Sequence, residues 1–117
     1  MKKRTLLTAT LMLLSLSGLM AQTAVAPGAG DGSVGNPYQI NTLENLYWLS
    51  QNTAEWNKHY IQTDDIYANE TDTWDVGDHD QNVSTPDEAM GFSSIGYFGN
   101  AFTGTYNGQM HEISSLY

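Results

Sequence analysis

Apolar and polar residues alternate in the first patterned stretch, and the period then changes to that of a helix. Residues 37–40 read Pro-Tyr-Gln-Ile, which predicts a short strand because successive side chains of a strand point to opposite faces. Leucines then recur at near-helical spacing over residues 43–49. Asn41 is a favourable helix cap, and Glu44 three residues later completes a capping box. The pattern predicts a helix over residues 42–52.

Two more apolar stretches precede a long polar segment. Residues 58–62 contain Tyr60 and Ile61 and predict a second strand, which residues 64–67 continue or bend. Residues 68–90 are rich in acids, and they contain few large apolar side chains. This composition predicts a long acidic loop. Loops of such length are uncommon in compact domains unless they are functional or disordered.

The last block of the chain has the strongest alternation. Residues 102–106 alternate strictly, and Asn107-Gly108 follows at once. Asn-Gly after alternating residues predicts a β-hairpin because both residues tolerate positive φ, so residues 109–117 are expected to return as a strand. The chain stops inside an apolar stretch, where a final strand would be an unprotected edge. We therefore expect an incomplete domain, or one that pairs with something else.

The N-terminus has the three parts of a secretory signal peptide. Basic residues 2–4 precede a mostly apolar run over residues 6–20, and the small residue Ala21 follows. This order predicts a leader, residues 1–21, that is cleaved after Ala21. The apolar run is shorter than the roughly 20 residues of a membrane-spanning helix, so no membrane span is expected after cleavage. Residues 22–36 are mainly Gly, Ala, Ser and Thr, which predicts a flexible lead-in.

Removal of the leader makes the remaining chain strongly acidic. Only Lys58 then faces thirteen carboxylates, which gives a formal charge of −12. Such a surface repels nucleic acid and anionic membranes, so we expect neither as a partner. The chain has no cysteine, which excludes the disulfides that stabilise many small exported domains.

Three groups of residues occur in an order that is typical of one protein family. They are Gly30-Asp31-Gly32-Ser33 with Pro37-Tyr38-Gln39-Ile40 and a helix rich in Leu and Trp, then Tyr60-Ile61-Gln62-Thr63-Asp64-Asp65-Ile66, then Ile95-Gly96, Phe102-Thr103-Gly104-Thr105-Tyr106-Asn107-Gly108 and His111-Glu112-Ile113-Ser114-Ser115-Leu116. Over residues 30–117 the chain resembles the opening of GLUG-motif bacterial surface and secreted proteins. The chain departs from that pattern at Met110, where the family has a second glycine, and in its acidic insert. The glycine-rich repeat that names the family is absent.

The resemblance implies a mainly β fold, the N-terminal part of a right-handed parallel β-helix (a solenoid) with one short capping α-helix. On this interpretation residues 37–117 are the N-terminal cap and first coil, and the acidic loop over residues 68–90 is an insertion. Terminal units of solenoids are atypical because they cover an otherwise unpaired edge. A single coil does not bury its own apolar face, so we expect an incomplete structure.

The acidic loop contains half of a calcium-binding pattern. Val83 stands where the sharp turn of such a loop requires glycine, and Ala89 stands where a bidentate Glu is expected. These departures favour a solvated acidic loop, and we assign no metal site. The oxygen ligands at alternate positions are Asp78, Asp80, Asn82 and Ser84.

No catalytic constellation is apparent among the polar residues. His59, His79 and His111 are far apart and lack zinc-ligand spacing. At the family's His-x-Ile position, His111 is expected to be a structural residue at a strand start. The pair Asp64-Asp65 is a poor candidate for glycoside hydrolysis because adjacent strand residues point to opposite faces. We assign no catalytic or cofactor-binding residue.

The three tryptophans and seven tyrosines either fill a small core or stack on sugars. We expect Trp48 to lie in the core, and the role of Trp74 stays open because it borders the polar loop.

These observations favour a non-catalytic adhesion or binding module that is secreted or exposed at the cell surface. The resemblance suggests glycans or extracellular proteins as partners. The alternative is the N-terminal fragment of a β-helix carbohydrate-active enzyme, a polysaccharide lyase or glycosidase, whose active site lies beyond this chain. With Lys58 as the one basic residue after leader removal, this chain alone offers a lyase few groups for charge neutralisation.

Overall fold

The computed structural model describes residues 22–74 and 91–117. The predicted leader, most of the acidic loop and the candidate calcium ligands Asp78, Asp80 and Asn82 lie outside these residues. The described residues contain the strands β1 (Tyr38–Ile40), β2 (His59–Gln62), β3 (Ile66–Tyr67), β4 (Thr105–Asn107) and β5 (Ile113–Ser114), the helix α1 (Leu43–Gln51), and two 3-10 helices (Thr53–Glu55 and Asn69–Thr73).

Helix α1 confirms the predicted helix, but its N-cap is one residue later than predicted. Thr42 is the cap, and its Oγ1 accepts a hydrogen bond from the backbone N–H of Asn45 at 3.1 Å. The backbone N–H of Asn41 donates to Oδ1 of the same Asn45 at 3.3 Å. Asn45 therefore replaces Glu44 as the residue that ties the first turn to the chain before the helix.

All three strand pairs of the described residues are parallel. β2 lies between β1 and β4 in a three-stranded sheet, and β3 pairs with β5 in a two-stranded sheet. The register places Tyr38, Tyr60 and Tyr106 side by side in the first sheet. Ile66 lies beside Ile113 in the second sheet. The chain passes between the two sheets three times, after β2, after β3 and after β4.

The predicted hairpin at Asn107-Gly108 is wrong. β4 pairs with β2 and β5 pairs with β3, so the two strands that flank this dipeptide belong to different sheets. Oδ1 of Asn107 accepts a hydrogen bond from the N–H of Gln109 at 3.0 Å. Gln109 and Met110 take the left-handed conformation, with φ of 49° and 63°. These two residues turn the chain around a corner, so it does not return antiparallel to β4.

The predicted fold class is contradicted. The described residues form parallel sheets of three and two strands with one α-helix, and they form no right-handed β-helix or other solenoid. The strands are only two to four residues long, and the helical segments occupy more of the described chain than the strands do. The helix and the parallel strand pairs agree with the family resemblance, whereas the β-helix that it implied is wrong.

The core lies between helix α1 and the sheets. Leu43, Leu46 and Leu49 of the helix are buried, as their spacing predicts. The other buried apolar side chains come from the strands and from the segments between them, and they are Ile40, Trp56, Tyr60, Ile66, Ala68 and Trp74.

Residues 22–36 contain no helix or strand, but hydrogen bonds join them to the rest of the fold. Oxygen of Val25 accepts from Nδ2 of Asn45 at 3.0 Å. Oxygen of Ala29 accepts from the N–H of Gln39 on β1 at 3.0 Å. Gly30 has φ of +88°, and an added Cβ would lie 2.0 Å from the carbonyl oxygen of Pro37. A glycine is therefore required where this segment, which we call the lead-in, crosses β1.

A second close approach fixes β4. An added Cβ at Gly104 would lie 1.9 Å from the carbonyl oxygen of Lys58. The N–H groups of Thr103 and Gly104 both donate to the carbonyl of Trp56, at 3.0 and 2.8 Å. The chain before β4 is thereby held against the chain before β2. Among the described residues, no helix has the length and apolar character needed to cross a membrane.

Candidate functional site

The three-stranded sheet carries its tyrosines on one face. The ring centroids of Tyr38 and Tyr60 are 5.6 Å apart, and those of Tyr60 and Phe102 are 6.1 Å apart. Tyr60 is buried, whereas Tyr38 is partly exposed. The row of rings therefore begins at the surface on β1 and continues into the core.

Tyr38 and Trp48 form an aromatic pair at the surface. Their ring centroids are 5.8 Å apart with an interplanar angle of 70°, and both side chains are partly exposed. Strand β1 supplies the tyrosine, and helix α1 supplies the tryptophan. Such an edge-to-face pair combines a large apolar area with polar groups at the Tyr hydroxyl and the Trp N–H.

Two carboxylates lie close to this pair. Burial raises the pKa of Tyr38, and the negative charges of Glu55 and Asp31 raise it further. Asp31 is exposed, and its Oδ1 accepts the N–H of Ser33 at 2.9 Å. Hydrogen bonds from Ser33 hold the pKa of Asp31 below its usual value, so this carboxylate is charged at neutral pH.

Glu55 also acts on the buried tyrosine of the row. The hydroxyl of Tyr60 donates to the backbone carbonyl of Glu55 at 2.7 Å. Burial raises the pKa of Tyr60, and the Glu55 charge adds to the effect. Oε2 of Glu55 is buried and has no hydrogen-bond partner among the described residues.

Lys58 completes this part of the surface. Gly32 lies between the Tyr38 ring and the stem of Lys58, because a side chain added at Gly32 would contact both. The N–H of His59 donates to the carbonyl of Gly32 at 2.9 Å, which fixes the lead-in beside β2. We call the group Asp31, Tyr38, Trp48, Glu55 and Lys58 the aromatic–acidic face.

The carboxylate pair Asp64-Asp65, which sequence analysis gave as a poor catalytic candidate, lies at the corner between β2 and β3. Oδ1 of Asp65 accepts the N–H of Glu112 at 2.9 Å and lies 3.2 Å from Nδ1 of His111. The bond from Glu112 and then the bond with His111 lower the pKa of Asp65. His111 lies two residues before β5, so its position is that of a corner residue.

Gln62 holds the same corner from the inside. This buried side chain donates from Nε2 to the carbonyls of Asp64 and Glu112, at 3.0 and 3.1 Å. Its Oε1 accepts the hydroxyl of Tyr106 at 3.0 Å. The three bonds join β2, β4 and both corners, which makes Gln62 a structural residue that sequence reasoning missed.

The remaining candidates have separate surroundings. Nδ1 of His59 lies 2.7 Å from Oγ1 of Thr105, on the neighbouring strand. Within residues 22–74 and 91–117, no three His, Asp or Glu side chains are grouped as metal ligands. His79 and the calcium pattern lie outside these ranges.

The tryptophans differ in burial. Trp56 and Trp74 are each 2 % exposed, and Nε1 of Trp56 donates to the carbonyl of Leu49 at 2.7 Å. Trp74 packs against Tyr47 and Phe92, with ring centroids 4.9 and 6.1 Å away, so it is a core residue. Trp48 is partly buried and packs against the core, and the rest of its side chain is exposed. The predicted core position is therefore only partly correct.

Comparison with known proteins finds a similarity to a halomucin. A halomucin of Haloquadratum walsbyi is 31 % identical over 88 residues, which cover 74 % of this chain and 1 % of the halomucin. The chain thus spans about one hundredth of the length of that protein. No family model matches the chain, and no solved structure matches it.

Proposed function

We propose that this chain is a secreted or surface-exposed binding module of the GLUG type, which binds neutral glycans through its aromatic–acidic face and carries out no catalysis. The similarity to a halomucin, a surface protein, is compatible with such a location. The observation that carries the proposal is the partly exposed Tyr38–Trp48 ring pair with the Asp31 and Glu55 carboxylates beside it.

The chemistry of this face fits a sugar. The negative π faces of aromatic rings attract the weakly positive C–H groups of a pyranose ring, and the rings exclude water from that side. Charged carboxylates accept strong hydrogen bonds from hydroxyl groups. Asp31 is exposed and ionised, and the stem of Lys58 lies beside Gly32 on the same face.

Charge selects between classes of glycan. The described residues contain eight carboxylates and one lysine, so sialylated or sulfated sugars are repelled. Neutral oligosaccharides carry no such penalty. The same charge distribution disfavours nucleic acid as a partner.

A glycan array probed with the purified exported chain tests the proposal, with neutral, sialylated and sulfated oligosaccharides printed side by side. We expect binding to neutral glycans only, and a loss of about tenfold or more in Trp48→Ala, since stacking of one ring contributes about 1–3 kcal/mol when apolar surface is removed from water. Tyr67→Ala is the matched control, because Tyr67 is 66 % exposed and lies outside the face.

Asp31→Asn keeps the fold and removes one charge from the face. We expect it to weaken binding to the same glycans while leaving the circular dichroism spectrum unchanged. Absence of binding to every glycan class, or equal binding by Trp48→Ala and the unchanged chain, would refute the proposal.

The proposed export has its own test. N-terminal sequencing of the protein recovered from the medium or the cell surface should begin at Gln22. Nε2 of Gln22 lies 3.1 Å from the hydroxyl of Tyr47 on helix α1, so the mature terminus would start beside the fold. A sequence that begins at Met1 would contradict cleavage after Ala21.

A further inference from the structure

The two outer strands of the three-stranded sheet differ in what lies beyond them. On β1, the N–H of Gln39 points away from β2 and donates to the carbonyl of Ala29, so the lead-in covers this edge. No described strand pairs with β4 on the side away from β2. Within residues 22–74 and 91–117, one edge of the sheet is therefore covered, and the other has no neighbouring strand.

The direction of the backbone groups on β4 follows from the bonds it makes. The N–H of Thr105 donates to the carbonyl of Lys58 at 3.1 Å, so Thr105 faces β2. Backbone groups of successive residues in a parallel strand point to opposite sides. The N–H and C=O of Tyr106 consequently point to the free side.

The same reasoning applies to β5. The carbonyls of Glu112 and Ser114 accept the N–H groups of Ile66 and Ala68 at 2.8 and 2.9 Å, so both face β3. The backbone groups of Ile113, between them, point away from β3. Because β4 lies on β2 and β5 lies on β3, the free groups of Tyr106 and Ile113 belong to one continuous layer, which we call the outer layer (residues 105–114).

Apart from the shortness of its strands and the charge of Glu112, the outer layer carries few of the features that protect a free edge. Neither β4 nor β5 contains proline or a charged residue. Met110 lies exposed within this layer, at 103 %, and Phe98 is likewise exposed, at 102 %, in the segment before β4. Phe98 is held at the tip of a tight turn by two bonds between the backbones of Tyr97 and Asn100, at 3.0 and 2.9 Å. An edge of this kind is a template for an added strand.

We propose that the outer layer is a docking site for an extended, basic peptide segment of an extracellular partner protein, which adds as a strand parallel to β4. Backbone groups of Tyr106 and Ile113 would bind the segment, as in other strand-addition complexes. Its apolar residues would lie beside the Tyr106 and Ile113 side chains.

Charge determines the choice of partner. Asp65 and Glu112 lie at the corner of the outer layer, and the described residues carry eight carboxylates and one lysine. A basic segment complements this surface. A second copy of the chain is repelled by the same charge, and its own β1 edge is covered at Ala29.

Nuclear magnetic resonance titration of the full chain with a synthetic peptide tests this docking site. The probe has the sequence of residues 58–67 of this chain with Asp64→Lys and Asp65→Lys, so it retains a natural strand pattern and becomes basic. We expect the amide signals of Tyr106 and Ile113 to shift and the exchange of both amides to slow at least tenfold. The amide of Gln39, on the covered edge, should not change. A peptide of the same sequence with N-methyl groups on alternate residues should not bind.

Two lysine variants separate edge docking from general charge attraction. Thr105→Lys places a positive charge on β4, the strand with which the segment would pair, and should weaken binding about tenfold or more. Val34→Lys makes the same change of net charge at a residue that is 79 % exposed in the lead-in, and it should leave affinity within twofold. Equal weakening by both variants, or unchanged Tyr106 and Ile113 signals, would overturn the proposal. Shifts of these signals with protein concentration alone would show a second copy as the occupant and would also overturn it.

Discussion

The β1 edge and the β4 edge belong to the same sheet, but only the first is covered by the chain's own residues. At β1, the lead-in supplies the carbonyl of Ala29 and crosses the strand at Gly30. At the other edge, β4 is the outermost of the three strands, and its residues Thr105 and Asn107 are exposed. No described strand pairs with the outer side of β4. The difference shows that main-chain bonds from the lead-in protect one edge of the sheet, whereas the other edge has no such partner among the described residues.

The largest expected effect comes from disrupting the covered edge. Gly30→Ala places a Cβ 2.0 Å from the carbonyl of Pro37 at a residue with φ of +88°, so the lead-in must move off β1. We expect a loss of about 2–3 kcal/mol in the free energy of unfolding, measured by urea denaturation of the full chain. Gly28→Ala is the control, because no atom lies within 4 Å of its added Cβ. Equal stability of the two variants would mean that the lead-in does not cover β1.

A smaller loss is expected where the outer layer joins the rest. Gln62→Leu removes the bonds to the carbonyls of Asp64 and Glu112 and to the hydroxyl of Tyr106. We expect a loss of about 1–2 kcal/mol, since some of these groups regain water. Amide exchange should accelerate more in β4 and β5 than in β1. Gln39→Leu, on the covered strand, serves as the control, and identical exchange profiles would contradict the assigned role of Gln62.

Alkaline titration should distinguish Tyr106 of the outer layer from Tyr60 of β2 by the pH at which each ionises. Burial raises the pKa of Tyr106 to about 12, against 10.0 for an unperturbed tyrosine. The folded state thus favours the neutral phenol, so its contribution to stability is complete below pH 10 and is lost as the pH rises from about 10 to about 12. Burial and the Glu55 charge raise the pKa of Tyr60 still further, so Tyr106 should ionise first.

Tyrosinate absorbance and circular dichroism, followed together in an alkaline titration, measure this order. In Tyr106→Phe the ionisation step at about pH 12 should disappear. Ionisation of all buried tyrosines in a single step at unfolding would contradict separate layers.

The smallest effect is expected at the corner of the outer layer. Hydrogen bonds from Glu112 and His111 lower the pKa of Asp65, so the carboxylate favours folding above its ordinary pKa of 3.8, and this contribution is lost as the pH falls through the lowered value. Asp65→Asn should slightly lower the melting temperature at neutral pH and leave it unchanged in acid. Asp72→Asn, at an exposed residue of the second 3-10 helix, should change neither value. The corner bonds would be unimportant if both variants melted alike at every pH.

Local periodicity was sufficient to predict α1, β1 and β2, because leucine spacing and strand alternation reflect burial within a few residues. It was insufficient at Asn107-Gly108, where the hairpin signal was overridden by pairing of β4 with a strand some 46 residues earlier. Pairing at that distance depends on the close approach of Gly104 to Lys58, and no local pattern encodes it.

The candidate site was only partly accessible to the sequence. The sequence predicted a core position for Trp48, and Asp31 was noted only as part of the motif Gly30-Asp31-Gly32-Ser33. Glu55 lies in a 3-10 helix that no motif indicates. The proximity of Asp31 and Glu55 to Tyr38 arises from the crossing of the lead-in over β1. Gln62 gave no signal either, because a buried amide that bonds to three separate segments has the same local sequence context as an exposed one.

The parallel register also has a consequence for the order of folding. Tyr38 and Tyr60 pair across 22 residues, whereas Tyr60 and Tyr106 pair across 46. A loop about twice as long raises the entropy of closure by only about 0.6 kcal/mol, but contacts of greater sequence separation form more slowly. During synthesis, β1, α1 and β2 emerge together and can associate while the ribosome is still translating the acidic residues that follow. The outer layer joins after these elements. Until then, the side of β2 that β4 later occupies is exposed to solvent in the β1–β2 pair.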